Sequence, residues 1–272
     1  MAITTLDGAI AGFQSPRPLI KAVTPTLVVG KYQSTWALGG LPGAGSYDTT
    51  LNGVVLSSSS AMVAGQVPHV DPGSGNAYLA RLQASATQAC TILLLDRLWH
   101  NGGFTITTTT AQSITSPTWP ARDAAGSTNG DGVLVAVEVS AAVGAASPAM
   151  TLQYTNQAGT AGRSASLVTG TTALSAAAAG SMFLFGLQAG DTGIRSVQSL
   201  TLGTSWVSGT INLVALRILA ALELPIAATP NSLDALTGGM PRLYNGAVPF
   251  MAILPSTTTA TIVSGAYVET QG

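Results

Sequence analysis

From Ala77 to Trp99 the chain reads AYLARLQASATQACTILLLDRLW, and its side chains repeat every two residues. Leu79, Arg81, Gln83, Ser85 and Thr87 alternate with Ala80, Leu82, Ala84, Ala86 and Gln88. A helix would repeat near 3.6, so this spacing predicts two strands, the second beginning at Cys90. The same alternation recurs in GVLVAVEVSA (132–141), AMTLQYTN (149–156), RSASLVTG (163–170), SMFLFGL (181–187), GIRSVQSLTLG (193–203) and GTINLVALRIL (209–219). VPFMAILP and ATIVSGAYVE close the chain in the same way. Turn signals separate these segments: NGG at 101–103, then QAGTAG after Asn156. Many short strands at short spacing predict an all-β chain, specifically a jelly-roll-like antiparallel β-sandwich over residues 76–272. The threonine-rich FTITTTTAQSI (104–114) is expected to be one more strand, its hydroxyls keeping an exposed face wet without charge. NSLDALTGG, after Pro230, predicts one short helix near the C-terminus, with Asn231 or Ser232 as N-cap and Gly238 or Gly239 as stop.

Residues 1–75 have a different character. Pro16, Pro18 and Pro25 fix φ and remove donors, and LGGLPGAGSYDTTLNG and VPHVDPGSGN are rich in turn residues. This segment is expected to be an extended, loop-rich N-terminal arm.

Charged residues make up only 8% of the 272, against roughly 25% in a typical soluble protein. A free monomer uses charge to remain unassociated, whereas interface cores are depleted of it. The composition therefore points to a chain that lives in an assembly. The net charge is −1 and the arginines are scattered, which argues against nucleic acid as a partner. Ile211–Ala228 is apolar but carries Arg217 and Glu223, so no membrane span is expected there. MAITTLDGAIAGF lacks the basic and apolar regions of a signal peptide, so a transmembrane β-barrel is disfavoured and assembly in a cytoplasm is expected. The single cysteine, Cys90, excludes an intrachain disulfide and reads as a buried, inert thiol.

Chemistry-bearing residues are few. Asp96 and His100 in DRLWHNGG have the types of an orienting acid and a base, but a structural role is favoured, with Asp96 paired to Arg97 or Arg81. In DAAGSTNGDG, Asp123, Asn129 and Asp131 would be the ligands of a calcium loop, yet the spacing lacks the glutamate of an EF-hand and a plain turn is favoured. GSGN (73–76) has no strand-then-helix context and no lysine to meet a phosphate. Trp36, Trp99, Trp119 and Trp206 are dispersed, as core or interface residues would be; clustered with Asp or Asn around a groove they would suit a glycan. A glycan hydrolase would need a carboxylate pair, and the glutamates are only Glu138, Glu223 and Glu269. No catalytic, cofactor-binding or metal-binding residue is therefore assigned.

TTLDGAIAGFQSPRP, GNAYLARLQASATQACTILLLDRLWHNGG, WPARDAAGSTNGDGVLVAVEVS and GLQAGDTGIRSVQSLTLGTSW resemble a family of virion proteins encoded in tailed bacteriophages and prophages, over nearly the whole length. The resemblance implies a non-enzymatic structural role in the virion, of the capsid decoration (cement) type. Its partners would be the major capsid protein or other virion proteins, and by analogy it would be a homo-oligomer, a trimer being favoured. On this reading Arg81, Arg97 or Arg217 should make buried, paired contacts. The alternative is a glycan-binding module of a tail or fibre.

Overall fold

A computed structural model of the protein describes residues 3–23, 27–146, 148–168 and 175–272. The elements in chain order begin with α1 (Leu6–Ala11), β1 (Arg17–Val23), β2 (Tyr32–Ser34), β3 (Gly40–Leu41) and β4 (Val54–Val55). The long strands β5 (Ala77–Ala86) and β6 (Cys90–Asn101) follow, then β7 (Gln112–Ser113), β8 (Val133–Ala141), β9 (Met150–Asn156) and β10 (Arg163–Leu167). Next come β11 (Ser181–Gly186), β12 (Ile194–Leu202), β13 (Thr210–Leu224), β14 (Asn231–Asp234) and α2 (Ala235–Gly238). The last are β15 (Arg242–Leu243), β16 (Pro249–Pro255) and β17 (Thr261–Gln271). The chain is all-β, and its strand pairings are antiparallel.

Six strands, in the order β2–β16–β6–β13–β8–β11, form a closed barrel, because β11 pairs back onto β2 through Ser181↔Gln33 and Met182↔Tyr32. The expected jelly-roll-like plan of two stacked sheets is replaced here by a ring. The reason is physical: β2 is only three residues long, and both its edges are taken by strands far away in sequence. Alternation within the long strands carries no trace of that. The open edge of β11 is divided, Ser181 and Met182 bonding to β2 while Phe185 and Gly186 bond to β10. The second half starts a flap, β10–β9–β12–β7, that continues the sheet away from the ring. A separate six-stranded sheet, β14–β5–β17–β1–β3 with β15 on β5, covers another side of the barrel.

Three apolar clusters follow from this plan. The lumen holds Trp36, Leu93, Leu95, Ala136, Met182, Val214, Leu216, Phe250 and Ala252. The opposite faces of β8 and β13 (Val135, Val137, Leu213, Ala215) pack against flap residues such as Leu152, Tyr154 and Leu200. The outer faces of β6, β13 and β16 (Ile92, Leu94, Leu222, Met251) pack against Leu82, Ala84, Val263 and Tyr267 of the six-stranded sheet. The barrel wall is thus buried on both faces, which is why CTILLLDRLW and INLVALRIL read as continuous apolar runs. The stretch expected not to span a membrane forms β13, and no helix among the described residues is long and apolar enough to cross one.

The described part of residues 1–75 lies along both sheets of its own chain. β1 is an internal strand of the six-stranded sheet, β2 closes the ring, and Trp36 fills the lumen. The threonine run departs from expectation, since only Gln112 and Ser113 join a ladder. Local side-chain bonds take its backbone instead: the Gln112 amide both accepts from the Thr105 N–H and donates to the Thr105 carbonyl, and Thr108 Oγ1 accepts from the Thr110 N–H. The short helix near the C-terminus ends at Gly238, where the stop was expected, but starts about one turn later than expected. Asn231 and Ser232 pair with β5, and Asp234 caps the turn by accepting from the Thr237 N–H.

Phe250 is fully buried and meets Trp36 edge-on, with ring centroids 5.8 Å apart. Phe250→Ala is expected to lower unfolding free energy by about 3–5 kcal/mol, read from urea midpoints, whereas Thr109→Ala on the exposed run should change it by less than about 0.5.

Candidate functional site

The lumen is apolar at one end and charged at the other. Arg97 projects inward from β6 and meets Glu138 of β8 in a two-point pair, Nη1 to Oε1 at 3.2 Å and Nη2 to Oε2 at 2.5 Å, with both side chains inaccessible. Its guanidinium lies over Trp36 at 4.4 Å and over Phe250 at 5.3 Å, so aromatic faces cover the cation where no oxygen does. His100 is three residues further on and would normally face out. Leu98 is an extra residue in the β6–β13 ladder, because Leu216 pairs with Arg97 and Ala215 with Trp99. This bulge returns His100 to the lumen, opposite Val214.

Arg97 Nη2 donates to His100 Nδ1 at 2.7 Å. An arginine cannot accept, so His100 is the neutral tautomer with its proton on Nε2. Burial, and then the Arg97 cation, hold its pKa well below 6.5, while the neighbouring Asn212 amide opposes the shift. His100 Nε2 and Asn212 Nδ2 are both buried with no hydrogen-bond partner. The Tyr47 ring stacks obliquely on His100 at 5.5 Å, and burial, followed by the Glu138 charge, raises its phenol well above the ordinary range.

Asn212 lines a pocket of about 360 Å³, together with Tyr47, Asp48, Phe104, Ser140 and Thr210 among others. The turn beside it needs glycine: a Cβ on Gly102 would come within 2.0 Å of the Asp48 carbonyl oxygen. That close approach seats residues 48–50 on the 102–103 turn, with the Gly102 N–H donating to the Thr50 carbonyl. Asp48 Oδ2 accepts from Thr50 Oγ1, and the Ser140 and Thr210 hydroxyls bond to each other at 2.7 Å.

Asp96 and His100 are not brought together. Asp96 accepts from Arg122 Nε at 3.1 Å and from the Val248 N–H at 2.9 Å. Its partner is therefore Arg122 where Arg97 or Arg81 was expected; Arg122 reaches Asp96 from a loop 26 residues on, and Arg97 turns into the lumen. Arg122 also donates to the carbonyls of Leu56, Gly246 and Arg97, tying three loops to the barrel. Asp123 accepts from the N–H groups of Ala125, Ser127, Gly130 and Asp131 and from Ser127 Oγ. Five donors occupy the carboxylate, and these bonds hold its pKa low against the cost of burial. Asn129 is exposed and Asp131 accepts from Thr192, so the loop is a turn built on one side chain. Among the described residues no three His, Cys, Asp or Glu side chains are grouped to hold a metal ion.

A second histidine site was not foreseen. His69, buried, contacts Glu269 through Nδ1 at 2.8 Å and approaches Asp71 through Nε2 at 3.0 Å, and Tyr267 donates to the same Glu269 oxygen. It joins the loop before β5 to the C-terminal strand, 200 residues apart, and only the third dimension reveals it. Cys90 is buried, and burial pushes its thiol up to about 11, so the nucleophilic thiolate is scarce near neutral pH. All four tryptophans are buried, and of them Trp99 and Trp119 touch, at 5.6 Å. Arg217 is buried at its base and donates to the Arg242 carbonyl, while Arg81 is exposed.

Comparisons with protein-family models, with curated proteins and with solved structures return no match. The lumen itself makes a quantitative statement. Below pH 6.5 the unfolded chain protonates His100 while the folded barrel, with Arg97, Glu138 and Tyr47 around the ring, keeps it neutral. The unfolded state then binds more protons, so stability falls as pH drops from 6.5 toward the folded pKa, by at most about 1.4 kcal/mol per pH unit. His100→Asn should lose this component: its urea midpoint is expected to drop less than that of the parent between pH 7 and pH 5.

Proposed function

We propose that this chain is a non-enzymatic structural subunit of a tailed-phage particle, a capsid decoration protein that cements the shell as a homo-oligomer, with a trimer favoured. The observation that carries the reading is where the charge lies. Of ten basic and eleven acidic residues, Lys21, Asp48, Asp96, Arg97, Arg122, Asp123, Glu138, Arg217 and Glu269 are buried. A chain already poor in charge keeps nine of its charged groups inside, and its 10657 Å² of accessible surface is correspondingly bland. Such a surface approaches a neighbour without the cost of desolvating ions.

The outer face of the six-stranded sheet supports the same reading. Ile20 is opposite Leu41 and diagonal to Ile262, and all three are exposed beside Pro18, Ala22, Ser264 and Ala266. That face offers apolar area and small side chains but no charge in its centre, which fits contact with a second copy or with the major capsid protein. A tail-borne glycan-binding role through tryptophans draws no support, because none of the four is exposed. The partners on this reading are virion proteins, without nucleic acid or membrane, and assembly takes place in a bacterial cytoplasm.

Light scattering after size exclusion is expected to return a closed oligomer of the 27.2 kDa chain, and mass spectrometry of purified, nuclease-treated particles from a producing lysate should detect it as a stoichiometric component. A monomer that is also absent from particles would overturn the proposal.

A further inference from the structure

We propose that Asn52 is a self-modifying residue, which cyclises onto the backbone nitrogen of Gly53 and ends as aspartate or isoaspartate. This goes beyond the assembly reading and does not depend on it. Four asparagines precede glycine, at 52–53, 101–102, 129–130 and 245–246. The pair suits tight turns because glycine takes positive φ, as Gly53, Gly130 and Gly246 do at 64°, 82° and 75°. It is also chemically weak, since glycine has no side chain to keep its nitrogen away from the asparagine side-chain carbonyl.

The step needs water alone. Gly53 N loses its proton to solvent and attacks Asn52 Cγ. The N–Cγ bond forms, the Cγ–Nδ2 bond breaks, and Nδ2 leaves as ammonia with a proton taken back from water. A second water opens the five-membered imide at either carbonyl, and nothing is oxidised or reduced. The rate is therefore governed by how freely the glycine N–H gives up its proton and its place.

The fold ties three of the four N–H groups firmly. Gly130, buried, donates at 3.0 Å to Asp123 Oδ2, in a carboxylate that four other donors hold in place. Gly246 donates to Asp71 Oδ1 at 2.7 Å. Bonds to a carboxylate are the stronger kind, and like charge disfavours a nitrogen anion beside one. Gly102 donates to the Thr50 carbonyl at 3.0 Å, and it and Asn101 are buried away from water. Gly53 differs. Its N–H meets the neutral Thr50 hydroxyl at 3.2 Å, the longest of the four bonds, and Thr50 and Asn52 are both exposed. Glycine is nonetheless required there, because a Cβ would come within 2.6 Å of the His100 carbonyl oxygen. The isoaspartate product would insert one backbone carbon directly ahead of Gly53 and β4, where Val54 pairs with His100.

Peptide mapping by mass spectrometry tests this on the intact folded protein, held for weeks in mildly alkaline buffer. Asn52 is expected to convert at least about tenfold faster than Asn129 or Asn245, the difference that one charged hydrogen bond makes to a rate. Asp71→Ala, shown to be folded by circular dichroism, should speed conversion of Asn245 by about tenfold and leave Asn52 unchanged. In urea, where these hydrogen bonds are gone, the four sites should converge, and this comparison needs no variant. No conversion at Asn52, conversion of Asn129 or Asn245 as fast as Asn52 in the folded chain, a ranking that persists in urea, or an unchanged Asn245 in folded Asp71→Ala would overturn the assignment.

Discussion

The ion pair between Arg97 and Glu138 is the interaction on which the barrel depends. The two residues come from β6 and β8, strands that do not pair with each other but flank β13 on either side. Their side chains meet inside the ring, so the pair holds three strands in one register. Two ions taken out of water are costly, and the Coulomb gain offsets that cost only when geometry and remaining hydrogen bonds are good. Here both terminal nitrogens of the guanidinium are engaged, one of them also by His100, while Nε is buried without a partner and Trp36 and Phe250 lie against the guanidinium plane. The bulge at Leu98 is what makes this possible, since without it Arg97 and His100 would face opposite sides of the wall.

From that pair outward the molecule shows one consistent use of charge. Asp96 and Arg122 clamp loops to the barrel, Asp123 organises its own turn, and Glu269 gathers His69 and Tyr267 at the C-terminal strand. Lys21, inside the six-stranded sheet, donates to the Leu38 and Gly43 carbonyls, and burial lowers it to about 8. Ionic groups act here as internal fasteners that specify loop positions. Little charge is left for the exterior, which connects the packing of the interior to the proposed life of the protein among neighbours.

The strand inventory was legible because it rests on a local signal. Alternation in AYLARLQASA, AMTLQYTN and ATIVSGAYVE reports which side chains face a core, and nothing distant is needed to read it. The ring was not legible, because its closure depends on Tyr32–Ser34, a strand too short to show a period and placed in proline- and glycine-rich chain. The threonine run misled for the opposite reason: its β-propensity is real, but Gln112 and Thr108 supply nearer partners to the backbone than any neighbouring strand does. Among the site residues, the turn role of Asp123 could be read from Asp, Asn and Gly composition. The Asp96–Arg122 pair and the His69–Glu269 pair join residues 26 and 200 positions apart, and residue types alone do not choose such partners. The sequence signal closest to the lumen is the run of Asp96, Arg97 and His100 in a largely apolar strand, where each charged residue must have a buried partner, though the run does not say which of them faces inward.

A double-mutant cycle on Arg97 and Glu138 tests the central claim most directly. Arg97→Met and Glu138→Leu, each alone, are expected to lower unfolding free energy by about 3–5 kcal/mol, and the double variant to recover most of that loss, because neither ion is then left unpaired. Single losses below about 1 kcal/mol, or losses that simply add in the double variant, would contradict it.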